Sequence, residues 1–375
     1  MSVILDVTGL SGVYGARLLA ESGHRVIRIE PAAGDEVRRT GPFIHADFGL
    51  EGSAFHQFMN AGKESMVLDL SKPTARDVLL SLVRLADAAI FKRPLPVAVE
   101  ALFGANSRLA VVEIDEIANE LCAYAKSGLL ALTGPPDEEP VVLGGHTALS
   151  AIGIYTAIAT SACLLAVRSS GNGQRVEVSG ASCLEGLTEQ SALTYFATGK
   201  APSRRGFRGA ITAVSGAFPC SDGYWMLSVP PTRDGWAHFL ELCDDPLLAA
   251  DAGLFEEDAR QQRKDFILDR ISEWSLTRTK ADLVRTAQHL HIPASPVSTT
   301  GDLAADPQLL HRGFLREVDH PLLGRMLFPI GAIAGERTAE PRFAARLGQH
   351  TGAILRELGY TESEMELLLA SGAAG

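Results

Sequence analysis

The sequence predicts an α/β fold in which a doubly wound parallel sheet forms the larger part of the molecule. The first thirty residues supply the main observation. The β-rich apolar run VILDV at 3–7 is followed by a glycine turn, a helical pattern and a second strand, RVIRIE, at 25–30. Parallel strands joined in this way require a right-handed crossover. Further strand-and-helix units repeat the pattern from 65 to 114, which indicates an extended sheet.

The later strands of this sheet follow from short apolar runs. SMVLDL at 65–70 precedes a helix at 73–86, and AAIF at 88–91 and LAVVEI at 109–114 predict the next two strands. A glycine turn then leads into a further strand within 171–179.

The second half of the chain changes character after the polar, Gly/Pro-rich stretch 197–210, which marks a domain boundary. GAFPCSDGYWMLSV predicts a hairpin that turns at Asp222-Gly223, and several helices follow. REVDHPLLGRMLFP predicts a second hairpin. Two helices end the chain, and Thr361 with Glu364 forms a capping box for the last one.

The composition predicts an acidic, reduced, globular protein. The chain has 375 residues and a formal net charge of -11. A nucleic-acid or anionic-membrane partner would require a basic face, so neither partner is expected. Five scattered cysteines show no CxxC and no His/Cys ligand spacing, which predicts no disulfide framework and no metal site. The cysteine pattern and the absence of a signal-peptide pattern indicate the cytoplasm.

The stretch PVVLGGHTALSAIGIYTAIATSACLLAV at 140–167 contains one histidine, His146, and no Asp, Glu, Lys or Arg. A membrane span needs about 20 mainly apolar residues. Here Thr, Ser and Tyr recur from 147 onward, and the flanking charges give no clear topology signal. We therefore predict a helix buried in the core of a large domain, and no membrane span.

The glycine turn GLSGVYG at 9–15 is the first candidate for chemistry. It follows a strand and opens a helix, and Glu30 ends the next strand, where a dinucleotide-binding fold places its ribose-binding acid. The spacing is GxxGxxG, however, and lacks the tight first gap that lets the backbone approach a pyrophosphate. Helix-on-strand packing is the preferred interpretation, and an NAD-dependent oxidoreductase is an alternative.

Seven segments, in order, resemble one family along almost the whole chain. They are VILDVTGLSGVYGARLLAESGHRVIRIEPAAGDEVRRTGP, MNAGKESMVLDLSKP, SGLLALTGPPDEEPVVLGG, SGNGQRVEVS, GAFPCSDGYWMLSV, HIPASPVSTTGDLAADPQLLHRGFLREVDHPLLG and RLGQHTGAILRELGY. Together they resemble the class III CoA-transferase family, also called the L-carnitine dehydratase/bile-acid-inducible family. The resemblance implies a Rossmann-like large domain at 1–195 and 325–375, a linker at 196–209 and a smaller inserted α+β domain at 210–320. It also implies a dimer of two interlocked chains.

The chemistry that the resemblance implies is covalent transfer of CoA from an acyl-CoA to a carboxylic acid. An Asp carboxylate attacks the thioester, which gives a mixed anhydride and free CoA, and CoA then returns on the incoming acid. The family spacing, counted back from the GNGQ turn through Ala159 and Gly153, places Leu149 where this Asp belongs. No acid stands within two residues of Leu149, so we expect no catalytic carboxylate in this chain.

Part of the family's CoA-binding pattern survives. Lys63 ends the segment NAGK, Leu68 follows on a strand, Arg28 lies on the second strand, and Arg93 remains from a longer signature. The resemblance implies that these four residues contact the adenine or the phosphates of CoA. Arg28 and Lys63 equally fit surface cations. CoA is then a substrate, and no separate cofactor is expected.

Three interpretations remain open. In the first, the chain is the Asp-less subunit of a heteromeric CoA-transferase, with a homologous Asp-bearing subunit or a second copy of itself as partner. In the second, it is an acyl-CoA racemase, isomerase or lyase of the same fold, and His146 is the candidate proton carrier. In the third, it is a dinucleotide-dependent or structural α/β protein. A half-buried helix cap also accounts for His146.

Overall fold

The computed structural model describes residues 1–44, 46–204, 206, 208–209, 212–331 and 342–375. The chain divides into two compact units: Met1–Leu129 with Leu143–Leu193 and Leu310–Gly375, and Leu130–Val142 with Thr194–Leu309. The predicted linker, the start of the predicted small domain and the predicted C-terminal return each include residues outside the described ranges. The domain boundaries given by the sequence therefore stay a prediction.

The strands of the described residues are β1 (Val3–Val7), β2 (Arg25–Glu30), β3 (Glu64–Val67), β4 (Ala88–Lys92), β5 (Ala110–Asp115), β6 (Gln174–Ser179), β7 (Ser215–Cys220), β8 (Gly223–Ser228), β9 (Ala294–Pro296), β10 (Leu315–His320) and β11 (Gly324–Pro329). The α-helices are α1 (Val13–Glu21), α2 (Ala54–Met59), α3 (Pro73–Leu85), α4 (Val99–Ala105), α5 (Glu120–Lys126), α6 (Leu129–Leu132), α7 (Thr147–Ser170), α8 (Gly180–Glu185), α9 (Glu189–Thr198), α10 (Arg233–Cys243), α11 (Pro246–Ala249), α12 (Glu257–Gln262), α13 (Lys264–Ser275), α14 (Lys280–His289), α15 (Thr300–Ala304), α16 (Pro307–His311), α17 (Thr351–Glu357) and α18 (Glu362–Ala370).

The larger unit is built on a six-stranded sheet with the strand order β3-β2-β1-β4-β5-β6. Every neighbouring pair in it is parallel. The chain moves from β1 to one edge and then returns to build the other half, which is the Rossmann strand order. The predicted α/β fold is confirmed. In such sheets ligands bind at the carboxyl ends of the strands where the direction reverses, here at β1 and β4.

Helices cover both faces of this sheet. The β4 residues 88–91, Ala-Ala-Ile-Phe, are fully buried because a strand between two helical layers has no solvent-facing side. On one face Leu79 of α3 and Ile354 of α17 pack in the core. On the other face Leu19 of α1 and Ile152 of α7 pack in a second cluster. The continuous apolar runs of the strands therefore reflect burial on both sides.

Helices α1 and α7 approach closely because two glycines face each other. A Cβ atom added to Gly15 would lie 2.5 Å from the carbonyl oxygen of Gly153. One added to Gly153 would lie 2.9 Å from the amide nitrogen of Gly15. These distances leave no room for a methyl group in a close-packed interior. Gly15 of the glycine turn therefore serves the packing of α1 on α7, a contact between two helices where the sequence predicted packing of a helix on a strand.

Helix α7 buries only one of its faces. Ile154, Ile158 and Leu165 are 46%, 61% and 64% exposed, so the burial expected of a core helix holds for the inner face alone. Among the described residues, this is the one helix long and apolar enough to cross a membrane, and 39% of its apolar window is buried. A single helix of this kind is weak evidence for a span, because core helices of globular proteins meet the same criteria.

The smaller unit combines an antiparallel sheet, β7-β8-β9, with surrounding helices. The predicted hairpin is confirmed, since β7 ends at Cys220 and β8 begins at Gly223. Strand β9 has only three residues, too few for a period-two pattern, and was not predicted. Trp225 and Trp236 are fully buried and organise the core of this unit together with Phe239.

Two further predictions near the C-terminus agree with the structure. Strands β10 and β11 form the second hairpin. Thr361 and Glu364 form the capping box of α18: the Glu364 amide donates to the Thr361 hydroxyl at 3.3 Å, and the Thr361 amide donates to the Glu364 carboxylate at 2.7 Å.

Candidate functional site

The first turn of α7 carries Leu149, the residue at the position expected for the nucleophile. Its side chain is buried in an apolar cluster with Val13, Val37, Phe55 and Met59. An aliphatic side chain fits this surrounding because burying it removes apolar surface from water. It has no group that could attack a thioester. The correspondence of Leu149 to the family's Asp stays a prediction.

A carboxylate from another helix lies against this turn. Glu120, the first residue of α5, accepts hydrogen bonds from the Leu149 amide at 3.4 Å and from Nδ1 of His146 at 2.8 Å. Sequence reasoning missed Glu120. It stands 26 residues before His146, and no local pattern connects the two, because only the packing of α5 on α7 brings them together.

His146 caps α7 in a backbone conformation that is unusual for its residue type. Its φ of 54° and ψ of 40° lie in the left-handed region, which non-glycine residues seldom adopt. Its ring makes an edge contact with Phe55, with centroids 5.0 Å apart. Among the described residues nothing bonds its Nε2, and its side chain is 40% exposed. The candidate from the sequence thus presents one free ring nitrogen beside a buried apolar cluster.

Arg28 and Lys63 lie together in a buried ion cluster and are not surface cations. Arg28 donates to Asp6 at 2.9 Å and also pairs with Asp35. The Lys63 ammonium donates to Asp6, to the Val13 carbonyl and to the Asn60 amide oxygen, each at 2.9 Å. All three ammonium protons therefore have acceptors within the larger unit.

The pKa values in this cluster follow from burial and pairing. Burial alone would raise the pKa of Asp6, but Arg28, Lys63 and the Thr8 hydroxyl together lower it to about 2. Burial lowers the pKa of Lys63 to about 8, although Asp6 opposes the shift. The cluster fastens β1, β2 and the segment before β3 to one another.

Leu68 and Arg93 do not belong to this ion cluster. Leu68 is buried in the core just after β3 and bridges to Ala374. Arg93 follows β4 at the edge where the strand direction reverses, and it pairs with Glu113 at 3.1 Å and with Glu177. Its side chain is 37% exposed. Of the four predicted CoA contacts, Arg93 is the one with an exposed cationic group.

The glycine turn already holds two carboxylates at its amide donors. The Gly9 amide donates to Glu116 at 2.8 Å, and the Leu10 amide donates to Glu36 at 3.1 Å. Burial raises the pKa of Glu116 above its ordinary value. A dinucleotide pyrophosphate would need these donors and would meet negative charge instead. This geometry does not favour the NAD-dependent alternative.

Sequence comparison identifies relatives over nearly the whole chain. The profile described as CoA-transferase family III matches residues 2–102 and 101–351. The BbsE subunit of succinyl-CoA:(R)-benzylsuccinate CoA-transferase from Thauera aromatica is 30% identical over 401 residues, covering 99% of this chain and 96% of the relative. A succinate–glutarate CoA-transferase from Agrobacterium fabrum is 28% identical and covers 93% and 92%.

Solved structures share the fold. A CaiB/BaiF family protein from Brucella suis has a TM-score of 0.84 and 25% sequence identity, covering 95% of this chain and 98% of its own. Rv3272 from Mycobacterium tuberculosis has a TM-score of 0.76 at 19% identity, which shows the fold alone. Because the family profile matches most of the sequence and a relative at 30% identity spans 99% of it, the chain belongs to CoA-transferase family III.

Proposed function

We propose that this chain is the subunit of a heteromeric class III CoA-transferase that does not supply the nucleophile. The observation that carries the proposal is the head of α7, where Leu149 fills an apolar cluster at the position expected for the Asp. The relative from Thauera aromatica, named as a subunit, supports a multi-chain enzyme. The proposed partner is a homologous subunit that carries the Asp, and a homodimer is the alternative.

The proposed reaction moves CoA from an acyl-CoA to a free carboxylic acid. The partner's Asp carboxylate attacks the thioester carbonyl, the C–S bond breaks, and CoA leaves as a thiolate from a mixed anhydride. The acceptor carboxylate then attacks the Asp carbonyl of this anhydride and releases the donor acid, which gives an acceptor acyl–Asp anhydride. The CoA thiolate attacks the acceptor carbonyl, which forms the acceptor thioester and releases the Asp carboxylate. CoA is a substrate in this scheme and no further cofactor takes part.

The substrate class we propose is dicarboxylic acids, with succinyl-CoA as the donor. The relatives are named for succinyl-CoA with benzylsuccinate, for succinate with glutarate and for succinyl-CoA with mesaconate. Arg93 is the proposed contact with CoA, because its guanidinium is exposed after β4, where the strand direction of the sheet reverses. Arg28, Lys63 and Leu68 are buried, and the two cations are paired within the ion cluster, so they are not among the CoA contacts proposed here.

The proposed assembly is an interlocked dimer in the cytoplasm. The exposed apolar residues of α7, among them Ile158 and Leu165, form a surface that a partner chain would remove from water. Five free cysteines, four of them buried, fit a reducing compartment.

The test is co-expression with an Asp-bearing homologue, purification of the complex, and an assay with succinyl-CoA and a dicarboxylic acceptor. We expect transfer by the complex, none by this chain alone, and none when the partner's Asp is replaced by Ala. Transfer by the chain alone, or by the complex with the Ala variant, would contradict the proposal.

A further inference from the structure

The pair of Glu120 and His146 has the geometry of a positioned general base. The Glu120 carboxylate holds Nδ1 of the imidazole at 2.8 Å, which fixes the proton on that nitrogen and leaves Nε2 as a free acceptor. We propose that this pair activates a water molecule and hydrolyses an acyl-CoA thioester bound at the head of α7. The activity goes beyond CoA transfer and needs no Asp.

Two independent features set His146 apart from an ordinary helix cap. Its left-handed φ of 54° follows directly on Gly145, which is itself left-handed at 76°, so the second of two successive left-handed residues is a histidine where glycine would be favoured. Retained backbone strain of this kind gathers at sites of function. Its side chain also makes no capping hydrogen bond to the helix, so its side-chain contacts are with Glu120 and Phe55.

The chemistry balances with water as the only co-reactant. Nε2 of His146 accepts a proton as the water oxygen bonds to the thioester carbonyl carbon, which gives a tetrahedral oxyanion. The oxyanion then collapses, the C–S bond breaks, and the imidazolium returns its proton to the departing CoA thiolate. The products are the free acid and CoA. Glu120 is a positioning residue that orients the imidazole.

The turn also offers a donor for the oxyanion. The amide of the partly exposed Thr147 has no acceptor among the described residues, as expected in the first turn of a helix. Such amides stabilise charge that develops beside a helix N-terminus. The ring of Phe55 and the side chain of Leu149 supply an apolar wall next to the imidazole.

One base is enough for hydrolysis but not for racemisation or isomerisation at a carbon. In hydrolysis the same imidazole takes a proton and gives it back. Racemisation needs a second proton carrier on the opposite side of the carbon. Among the described residues, the one carboxylate bonded to His146 is Glu120, and it already holds Nδ1. The geometry therefore favours water as the nucleophile.

The experiment uses the purified full-length chain without a partner, succinyl-CoA as the probe, no acceptor acid, and a thiol reagent that reports free CoA. His146→Gly removes the imidazole at a position whose φ suits glycine, so the variant should fold. We expect it to lower CoA release at least about 100-fold, and we expect added imidazole to restore part of the loss. Glu120→Gln should lower kcat and leave KM unchanged, and Glu120→Asp should recover part of kcat.

The matched control is His289→Gln, which changes an exposed histidine of the smaller unit and should leave CoA release unchanged. No CoA release by the wild-type chain, or equal release by His146→Gly, would overturn the inference. A third outcome would also overturn it: the wild-type chain exchanges the α-proton of succinyl-CoA for deuterium, His146→Gly does not, and neither protein releases CoA. The inference rests on acyl-CoA as the proposed ligand. Transfer is measured separately with the Asp-bearing partner and an acceptor acid, so failure of hydrolysis and failure of transfer are distinguishable.

Discussion

Replacing Gly153 with alanine would add a methyl group where α1 and α7 touch. The new carbon would lie 2.8 Å from Cβ of Tyr14 and 2.9 Å from the Gly15 amide nitrogen, whereas ordinary contact begins at 3.4 Å. The helices would have to separate by about 0.5 Å in a close-packed interior. Overpacking of this kind costs about 1–3 kcal/mol, and the better helix propensity of alanine returns about 1 kcal/mol. We expect a net loss of up to about 2 kcal/mol in the free energy of unfolding.

The matched control is Gly104→Ala in α4. A Cβ atom added there meets nothing within 4 Å, so only the propensity gain of about 0.5–1 kcal/mol remains. Calorimetry of the wild type and both variants should therefore give shifts of opposite sign: a lower Tm for Gly153→Ala and a higher Tm for Gly104→Ala. Equal stability of the two variants would refute the reasoning that the glycine pair sets the spacing of the helices.

Three further predictions concern buried charge and the head of α7. Lys63→Met should lower the free energy of unfolding by about 3–5 kcal/mol because it leaves the buried Asp6 carboxylate with less pairing. Adding Asp6→Asn to the same chain should recover part of this loss. If urea unfolding showed that the losses of the two substitutions simply add, the pairing would be contradicted. The pKa of Asp6 falls from 3.8 to about 2 on folding, so its ionised form adds about 2 kcal/mol to the free energy of unfolding above pH 4. This contribution is lost as the pH falls towards 2. If the urea midpoint of Asp6→Asn fell as steeply with decreasing pH as that of the wild type, this prediction would be wrong. Leu149→Asp should lower the free energy of unfolding by about 2–3 kcal/mol, because an apolar side chain is lost from a buried cluster. The variant should also form a hydroxylamine-sensitive adduct with succinyl-CoA, detected by mass spectrometry. A folded variant without the adduct would show that residue 149 is not the nucleophile position.

The local sequence pattern was sufficient to predict the strands of the sheet, but not to predict which face of helix α7 is exposed. Strands such as β4 are buried on both faces, so their continuous apolar runs identify them without tertiary information. The outer face of α7 is equally apolar and yet exposed at Ile158 and Leu165. Composition does not separate a helix that a core covers from one that another chain covers.

The candidate site was only partly predictable because its parts meet through tertiary packing. His146 and Leu149 share one turn, so family spacing could point to both. Glu120 reaches them from α5, and no period or motif signals that contact. Arg28 and Lys63 were also undecided from the sequence, since a cation's burial depends on partners such as Asp6 on another strand. Charge pairs between distant segments carry no local signature.

The most direct test of the account asks which chain becomes acylated during transfer. The complex of this chain with its Asp-bearing homologue is incubated with succinyl-CoA and treated with hydroxylamine, and each subunit is mapped by mass spectrometry. The account predicts a hydroxamate on the partner's Asp and none on this chain. A hydroxamate on any carboxylate of this chain, Glu120 included, would contradict it.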